Sequence, residues 1–360
     1  MPALSVRTLN RTLLERQWLV SRSSRTALDA VEHLVAVQGQ DPDAPYVGLW
    51  TRLADFRHDD LAALLHDRSV VRGAVVRTTQ HLLAADDFRW LRPLVQPMLD
   101  RSPRQGFGKE IAGLDLAELA TVAREEMAGR TLTRPELGRL LAKRFPGRHA
   151  SALAGSAHFL LALLHPPPSG LWGNRGSVPC VLAEDWLGGP LEAAPRVETM
   201  IKRYLVAFGP AGVMDIQAWS GLTRLREVVE GLRGQLRVYR DEAGKELYDL
   251  PDARLADPGL AVPARFLPAF DNLVLGHADR TRVISDGDRK AVAPGQAMVR
   301  PTFLVDGFVR GTWAVDGDRL RVSPFRPLSA ADTAAVLAEA ESLRDFVAAG
   351  GGSGREVVFD

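Results

Sequence analysis

One order of elements recurs three times along this chain: a set of helices, then a pair of strands. In the first copy, apolar residues at helical spacing (Val6, Leu9, Leu13, Leu14, Trp18) predict a helix over 6–20, and Leu28, Val31, Leu34 and Val35 predict another over 26–37. Gly39 and Pro42 supply the stop signals. Shorter helices are expected near 45–53 and 59–66, then strands over 70–76 and 78–83 with Arg77 between or within them. The second copy opens on Thr133-Arg134-Pro135-Glu136, a capping box with proline in the first helical turn. A longer helix should follow Pro146-Gly147 to about residue 165, with a wing made by 171–173 and 178–182. The third copy predicts helices over 197–208, 213–219 and 223–232 and strands over 236–240 and 246–250. The copies share no fixed period, so they are repeats of architecture and not a solenoid.

Beyond residue 256 the pattern changes to strand-like runs at 265–275, 280–284, 296–305, 308–315 and 320–323, then a capped helix over 329–348 and a glycine-rich break at 350–354. The expected fold is therefore α+β, mainly α: three tandem winged helix-turn-helix units (1–125, 126–195 and 196–255) and a C-terminal β-rich, barrel-like module (256–360). A hydrophobic fraction of 46% and only 32 Gly and 23 Pro exclude disorder and collagen. No run approaches 18 apolar residues, which argues against a membrane span and for a cytoplasmic location. Cys180 is the single cysteine, so no internal disulfide and no cysteine-based zinc site is expected. The histidines show no metal-binding motif, and the expected chemistry needs no metal and no cofactor.

Total charge is uninformative, at 45 basic and 44 acidic residues. Its distribution says more. Lysine occurs five times, leaving 40 arginines, the side chain whose planar fork matches phosphate. Residues 131–149 hold five cations against one anion, and 224–240 hold five against two. Both stretches fall where helix-turn-helix proteins meet phosphate, although a solvated helix face would look the same.

Gln38 and Gln40 follow the second helix with one small residue between them. On extended backbone the two amides would share a side. From the residues alone, ordinary polar capping fits equally well. Longer segments add to this: AVQGQ at 36–40, VRTTQHLLAADDFRWL at 76–91, FGPAGVMDIQAWSGL at 208–222, LPAFDNLVLGHADRTRVI at 267–284 and RPTFLVDGFVRGTW at 300–313. Together, and in this order, they make the chain resemble the winged-helix DNA glycosylases of the AlkZ/YcaQ superfamily. Glutamine at both motif positions resembles the AlkZ-like branch, while Gly39 stands where that family carries a larger apolar residue.

The resemblance implies a monofunctional DNA glycosylase, acting as a monomer on double-stranded DNA containing alkylated purines, with Gln38 and Gln40 as catalytic residues. It implies bulky or crosslinking N7-alkylated guanine as the lesion, and a role in self-resistance or general repair. Such a base is already cationic, so a neutral amide that orients water would suffice where other glycosylases use a carboxylate. Arg77, His81, Arg280, Phe308 and Arg310 are the expected DNA-binding residues, the last two on a hairpin turning at Asp306-Gly307. Plainer roles stay open for them: a core histidine at 81, an ion pair from Arg280 to Asp279 or Asp271, and simple packing for the hairpin aromatics. A winged-helix transcription regulator, or a protein-binding scaffold, would share the architecture without the chemistry.

Overall fold

The computed structural model describes residues 3–295, 298–351 and 356–360. It is an α+β fold in which helix predominates. Helix Val6–Arg16 is capped by the Ser5 hydroxyl, which accepts the Thr8 N–H, and it buries Leu9, Leu13 and Leu14. Helix Ala27–Leu34 starts from a reciprocal Thr26/Asp29 capping box. It ends three residues before the sequence pattern suggests. Val35 takes φ 65° and ψ −51°, and the Ala36 N–H reaches the Leu34 carbonyl at 2.8 Å. That is a γ-turn of the strained hand, rare for a β-branched residue. It releases Val37–Gln38 as a short strand.

Strands Val70–Ala74 and Gln80–Ala84 form the expected hairpin, joined through Val76–Thr78, a tight turn in which Arg77 and Thr78 both take positive φ. The second wing differs from expectation. Its strand Pro179–Leu182 pairs with Leu163–Leu164, and 171–173 forms no strand. In the sequence, the apolar pair after helix Ala150–Leu160 looks like more helix, because short apolar runs do not distinguish the two. One six-stranded sheet then joins the first two units, in the order Val37–Gln38, Gln80–Ala84, Val70–Ala74, Leu163–Leu164, Pro179–Leu182, Leu132–Thr133. The join is at Gly73, opposite Leu164, where a Cβ would meet the Phe88 ring at 2.7 Å.

Helix Val197–Phe208, helix Val213–Ser220 and the hairpin Arg237–Arg240/Glu246–Asp249 follow the predicted third order. A large core cluster runs through Leu13, Val75, Leu164, Tyr204, Trp219, Ile284 and Leu304, while Leu119, Leu141 and Leu153 pack in a cluster of their own.

The C-terminal module is an open sheet and not a closed barrel. Its strand order is Glu356–Phe359, Arg319–Pro324, Phe308–Asp316, Thr302–Val305, Arg265–Leu267. Residues 280–284 form turns, and 272–275 a short helix, where strands were expected. The expected strand at 296–305 begins in residues 296–297, and the expected glycine-rich break extends through 352–354; both pieces lie outside the described residues. Helix Ala330–Ala349 buries Val336, Ala340, Leu343 and Val347 against this sheet, and its Phe346 stacks on Trp50 of the first unit at 5.7 Å. No helix among the described residues is long and apolar enough to cross a membrane.

Candidate active site

The two glutamines belong to an edge strand and the turn after it. Val37 and Gln38 pair antiparallel with Leu82 and His81, and the Gly39 N–H continues the ladder to the Gln80 carbonyl at 2.9 Å. The chain then bends. The Gln38 side-chain carbonyl accepts the Gln40 backbone N–H at 2.6 Å, while the Gln40 side-chain carbonyl faces the Gln80 N–H at 3.3 Å. Gln38 is buried and Gln40 exposed. Beside Gln38, bounded by Val37, Gly48 and Asn272, is a cavity of about 10 Å³, room for a single water at most. The cavity beside Gln38 is thus too small for anything larger than water, and Gln40 is the member of the pair that reaches the surface.

Gly39 does not owe its identity to backbone freedom. Its φ lies outside the left-handed region, and a Cβ there would make ordinary contacts with Leu82 and His81 at 3.5–3.6 Å. The larger apolar residue of the resembling family would meet the same neighbours.

Sequence reading missed Arg72. Its side chain is buried mid-strand, with Nε donating to the Gly39 carbonyl at 3.0 Å, Nη2 to the Gln40 carbonyl at 3.4 Å and Nη1 to the Ser169 hydroxyl at 2.7 Å. The signal was present: a lone arginine inside the apolar run VVRGAVV must find several acceptors if the strand is buried. Gln80 was missed too. Its Nε2 lies 3.0 Å from Nε2 of His158.

Behind the pair, Asn272 donates to the Ala36 carbonyl and accepts from Arg77 at 3.3 Å. Arg77 also donates to the Trp219 carbonyl at 2.7 Å, near the end of helix Val213–Ser220. Burial, with a smaller contribution from Arg280, lowers its pKa to about 10. Arg77 thus faces inward. His81 does not line a DNA channel. It is wholly buried, its Nδ1–H donates to the Thr79 carbonyl at 2.9 Å, and desolvation pushes its pKa down to about 3. Its neutral Nε2 is left 3.4 Å from Arg77.

Arg280 forms neither expected ion pair. Asp271 is taken by Arg52 through two bonds of 2.8 and 2.9 Å, and Asp279 accepts from Thr281. Arg280 Nε is buried with no hydrogen-bond partner among the described residues. It borders an open pocket of about 340 Å³ with Arg289, Lys290, Val274 and Ile284. Burial chiefly, and the nearby Arg289 to a lesser degree, lower its pKa; Asp286 in the same pocket pairs with Arg289 at 3.3 Å.

The Asp306-Gly307 turn does not project outward. Both residues have positive φ, as a two-residue hairpin requires, but Arg7 holds Asp306 at 2.7 and 3.0 Å and Asn10 donates to the Gly307 carbonyl at 2.8 Å. The tip is docked on the first helix. Phe308 is half-buried and Arg310 exposed beyond it.

The two basic stretches are partly neutralised by acids that the fold brings in. Arg144 meets Glu125 and Glu126 at 3.3 and 3.4 Å, and Arg233 and Arg240 meet Glu246 at 3.1 and 2.9 Å. His158, His165 and Cys180 converge, with ligand atoms within 4.8 Å of one another, which their separation in sequence concealed. Burial lowers the His165 pKa to about 4 and raises that of the Cys180 thiol to about 11. Neutral imidazoles and a protonated thiol, with Arg72 and Arg134 close by, suit uncharged packing better than a dication.

The site is thus a buried and an exposed glutamine held at the edge strand of a packed sheet and the turn that follows it. Residues 31–346 match the family described as DNA glycosylase AlkZ-like, and the chain belongs to that family. It is 28% identical over 349 residues, covering 87% of this chain and 88% of the relative, to an interstrand DNA cross-link repair glycosylase of Streptomyces sahachiroi. The solved structure of Streptomyces sahachiroi DNA glycosylase AlkZ superposes with a TM-score of 0.81 at 23% identity, covering the whole of both chains.

Proposed function

We propose that this glycosylase hydrolyses the N-glycosidic bond of bulky or crosslinking N7-alkylated guanine, with Gln38 and Gln40 holding the attacking water. The observation that carries this reading is the asymmetry of the pair: a buried Gln38 fixes the turn, and an exposed Gln40 presents its amide from it. Water attacks C1′ as the bond to N9 breaks. The cationic base leaves neutral, and the water's proton passes to solvent. Repair of interstrand cross-links, as named for the Streptomyces relative, would proceed here by unhooking, the same bond cleavage at one end of a tether. Self-resistance to a genotoxic natural product is the biological role that such a substrate suggests.

The segments 1–125, 126–195 and 196–255 serve as three winged units that, with module 256–360, cradle duplex DNA. Arg280, Arg310 and Phe308 face it, while Arg77 and His81 support the loop from behind. A monofunctional enzyme fits the site, since among the described residues no lysine bonds to either glutamine or lines the cavity beside Gln38 to form an imine.

The test is incubation with duplexes carrying N7-guanine adducts of increasing size. Abasic sites should form that break only on alkaline treatment, and borohydride should trap no protein–DNA adduct. Gln40→Ala should lower single-turnover excision by at least about 100-fold, the scale of a positioned proton-handling group, with DNA affinity unchanged. Excision by Gln40→Ala at the wild-type rate would remove the pair from the mechanism.

A further inference from the structure

Among the described residues, Arg72 has no carboxylate within 4 Å, yet its side chain is only 6% exposed. A buried guanidinium with no carboxylate in contact is costly unless its nitrogens reach oriented acceptors, and here Asp41 supplies a favourable charge only at longer range. Here three donors go to three oxygens, two of them consecutive backbone carbonyls of the Gly39–Gln40 turn. The third, Ser169, comes from the segment after the helices of the second unit. We propose that Arg72 is the positioning residue of the proposed glycosylase site: it clamps the two peptide planes that set the distance and angle between the Gln38 and Gln40 amides, and Ser169 ties that clamp to the second unit.

The geometry supports this in three ways. Fixing the Gly39 and Gln40 carbonyls toward Arg72 turns the Gln40 N–H toward the Gln38 side chain, where it is found. Otherwise Gly39 and Gln40 are held by the Gln38 side chain and by Gln80, through one ladder bond and one longer contact of 3.3 Å, before the chain is anchored again by the Asp41–Arg175 pair at 2.7 Å. Burial, opposed in part by the charge of Asp41, lowers the Arg72 pKa only to about 10, so the guanidinium stays charged at neutral pH and its bonds to the carbonyls are charge-assisted.

The inference rests on the proposed function, and the experiment separates the two. Arg72→Ala should excise an N7-alkylguanine about 100-fold more slowly in single turnover, the cost expected of a displacement near 1 Å, with duplex affinity within about twofold of wild type. Added guanidinium ion should restore part of that rate. Arg72→Lys, which keeps the charge but reaches fewer acceptors, should resemble Arg72→Ala. Ser169→Ala, a near-isosteric change that leaves the fold intact, should give a smaller loss. Hydrogen exchange in the peptide covering 36–43 should quicken in Arg72→Ala and in Ser169→Ala. Wild-type excision by Arg72→Ala, or a loss that guanidinium does not relieve and that tracks a loss of DNA affinity, would overturn the positioning role. If the wild-type protein releases no base from any adduct, the functional reading fails instead; unchanged exchange at 36–43 would then overturn the clamp on its own.

Discussion

The side-chain carbonyl of Gln38 accepts the backbone N–H of Gln40 at 2.6 Å, so the two glutamines of the motif are not equivalent. Gln38 shapes the loop, and Gln40 is the exposed member proposed to meet the substrate. Gln38→Ala removes the acceptor and frees the turn, whereas Gln38→Glu keeps an oxygen in place, protonated if burial demands it. Single-turnover excision should fall in the order wild type, Gln38→Glu, Gln38→Ala, with the alanine variant at least about tenfold slower than wild type. Equal rates for the glutamate and alanine variants would show that the hydrogen bond to Gln40 does not matter to the reaction.

The pocket at Arg280 gives a prediction for DNA binding that does not depend on catalysis. Arg280 has a buried donor with no partner, and Lys290 beside it forms no ion pair among the described residues. Removing a cation that neutralises one phosphate should reduce the slope of log affinity against log salt by about 0.9. Arg280→Gln and Lys290→Gln, titrated on undamaged duplex between low and moderate salt, should each flatten the slope by that amount. A slope identical to wild type in both variants would place the DNA elsewhere.

What the sequence made legible follows the range of the forces involved. The Thr133/Glu136 box and the helix at 197–208 depend on neighbours within one turn, and both are present as read. The strand carrying Gln38 was hidden because Val35, a β-branched residue, takes a γ-turn that only tertiary packing can enforce. Arg72 and Gln80 act through partners 32 to 97 residues away, and the acids that neutralise Arg144 and Arg233 were invisible to a local charge count for the same reason. The Gln pair itself was legible as a site only through the family resemblance. Its chemistry needs the exposure difference between the two amides, which the fold sets.

Gly221 allows the first wing to meet the third unit. It ends helix Val213–Ser220 at φ 80°, and a Cβ there would strike the Met98 sulfur and come within 3.1 Å of the Arg77 backbone nitrogen. Gly221→Ala therefore combines a left-handed backbone penalty of about 1–2 kcal/mol with a steric clash. Thermal unfolding should show a lower midpoint, and excision should fall with it because Arg77 supports Asn272 behind the glutamines. An unchanged midpoint would mean that the wing is free to shift away from this helix.

Acidification should weaken the fold before most carboxylates titrate. Desolvation is the largest cause holding His81 at a pKa of about 3, His165 at about 4 and His158 well below its ordinary value. In the unfolded chain each would titrate near 6.5. Between those values the unfolded state binds more protons, so the stability present above about pH 6.5 is lost progressively as pH falls toward the folded pKa values. At pH 5 the loss is up to about 2 kcal/mol per group. Asp306, whose pKa its hydrogen bond to Arg7 lowers, gives up its own contribution only below about pH 4. Urea unfolding at pH 7, 6 and 5 should show a steadily falling midpoint, and His165→Asn should reduce the pH slope by about one proton whatever it does to stability at pH 7. A midpoint that holds constant from pH 7 to 5 would mean that these imidazoles reach solvent, and that the sheet beneath the glutamines is looser than its burial implies.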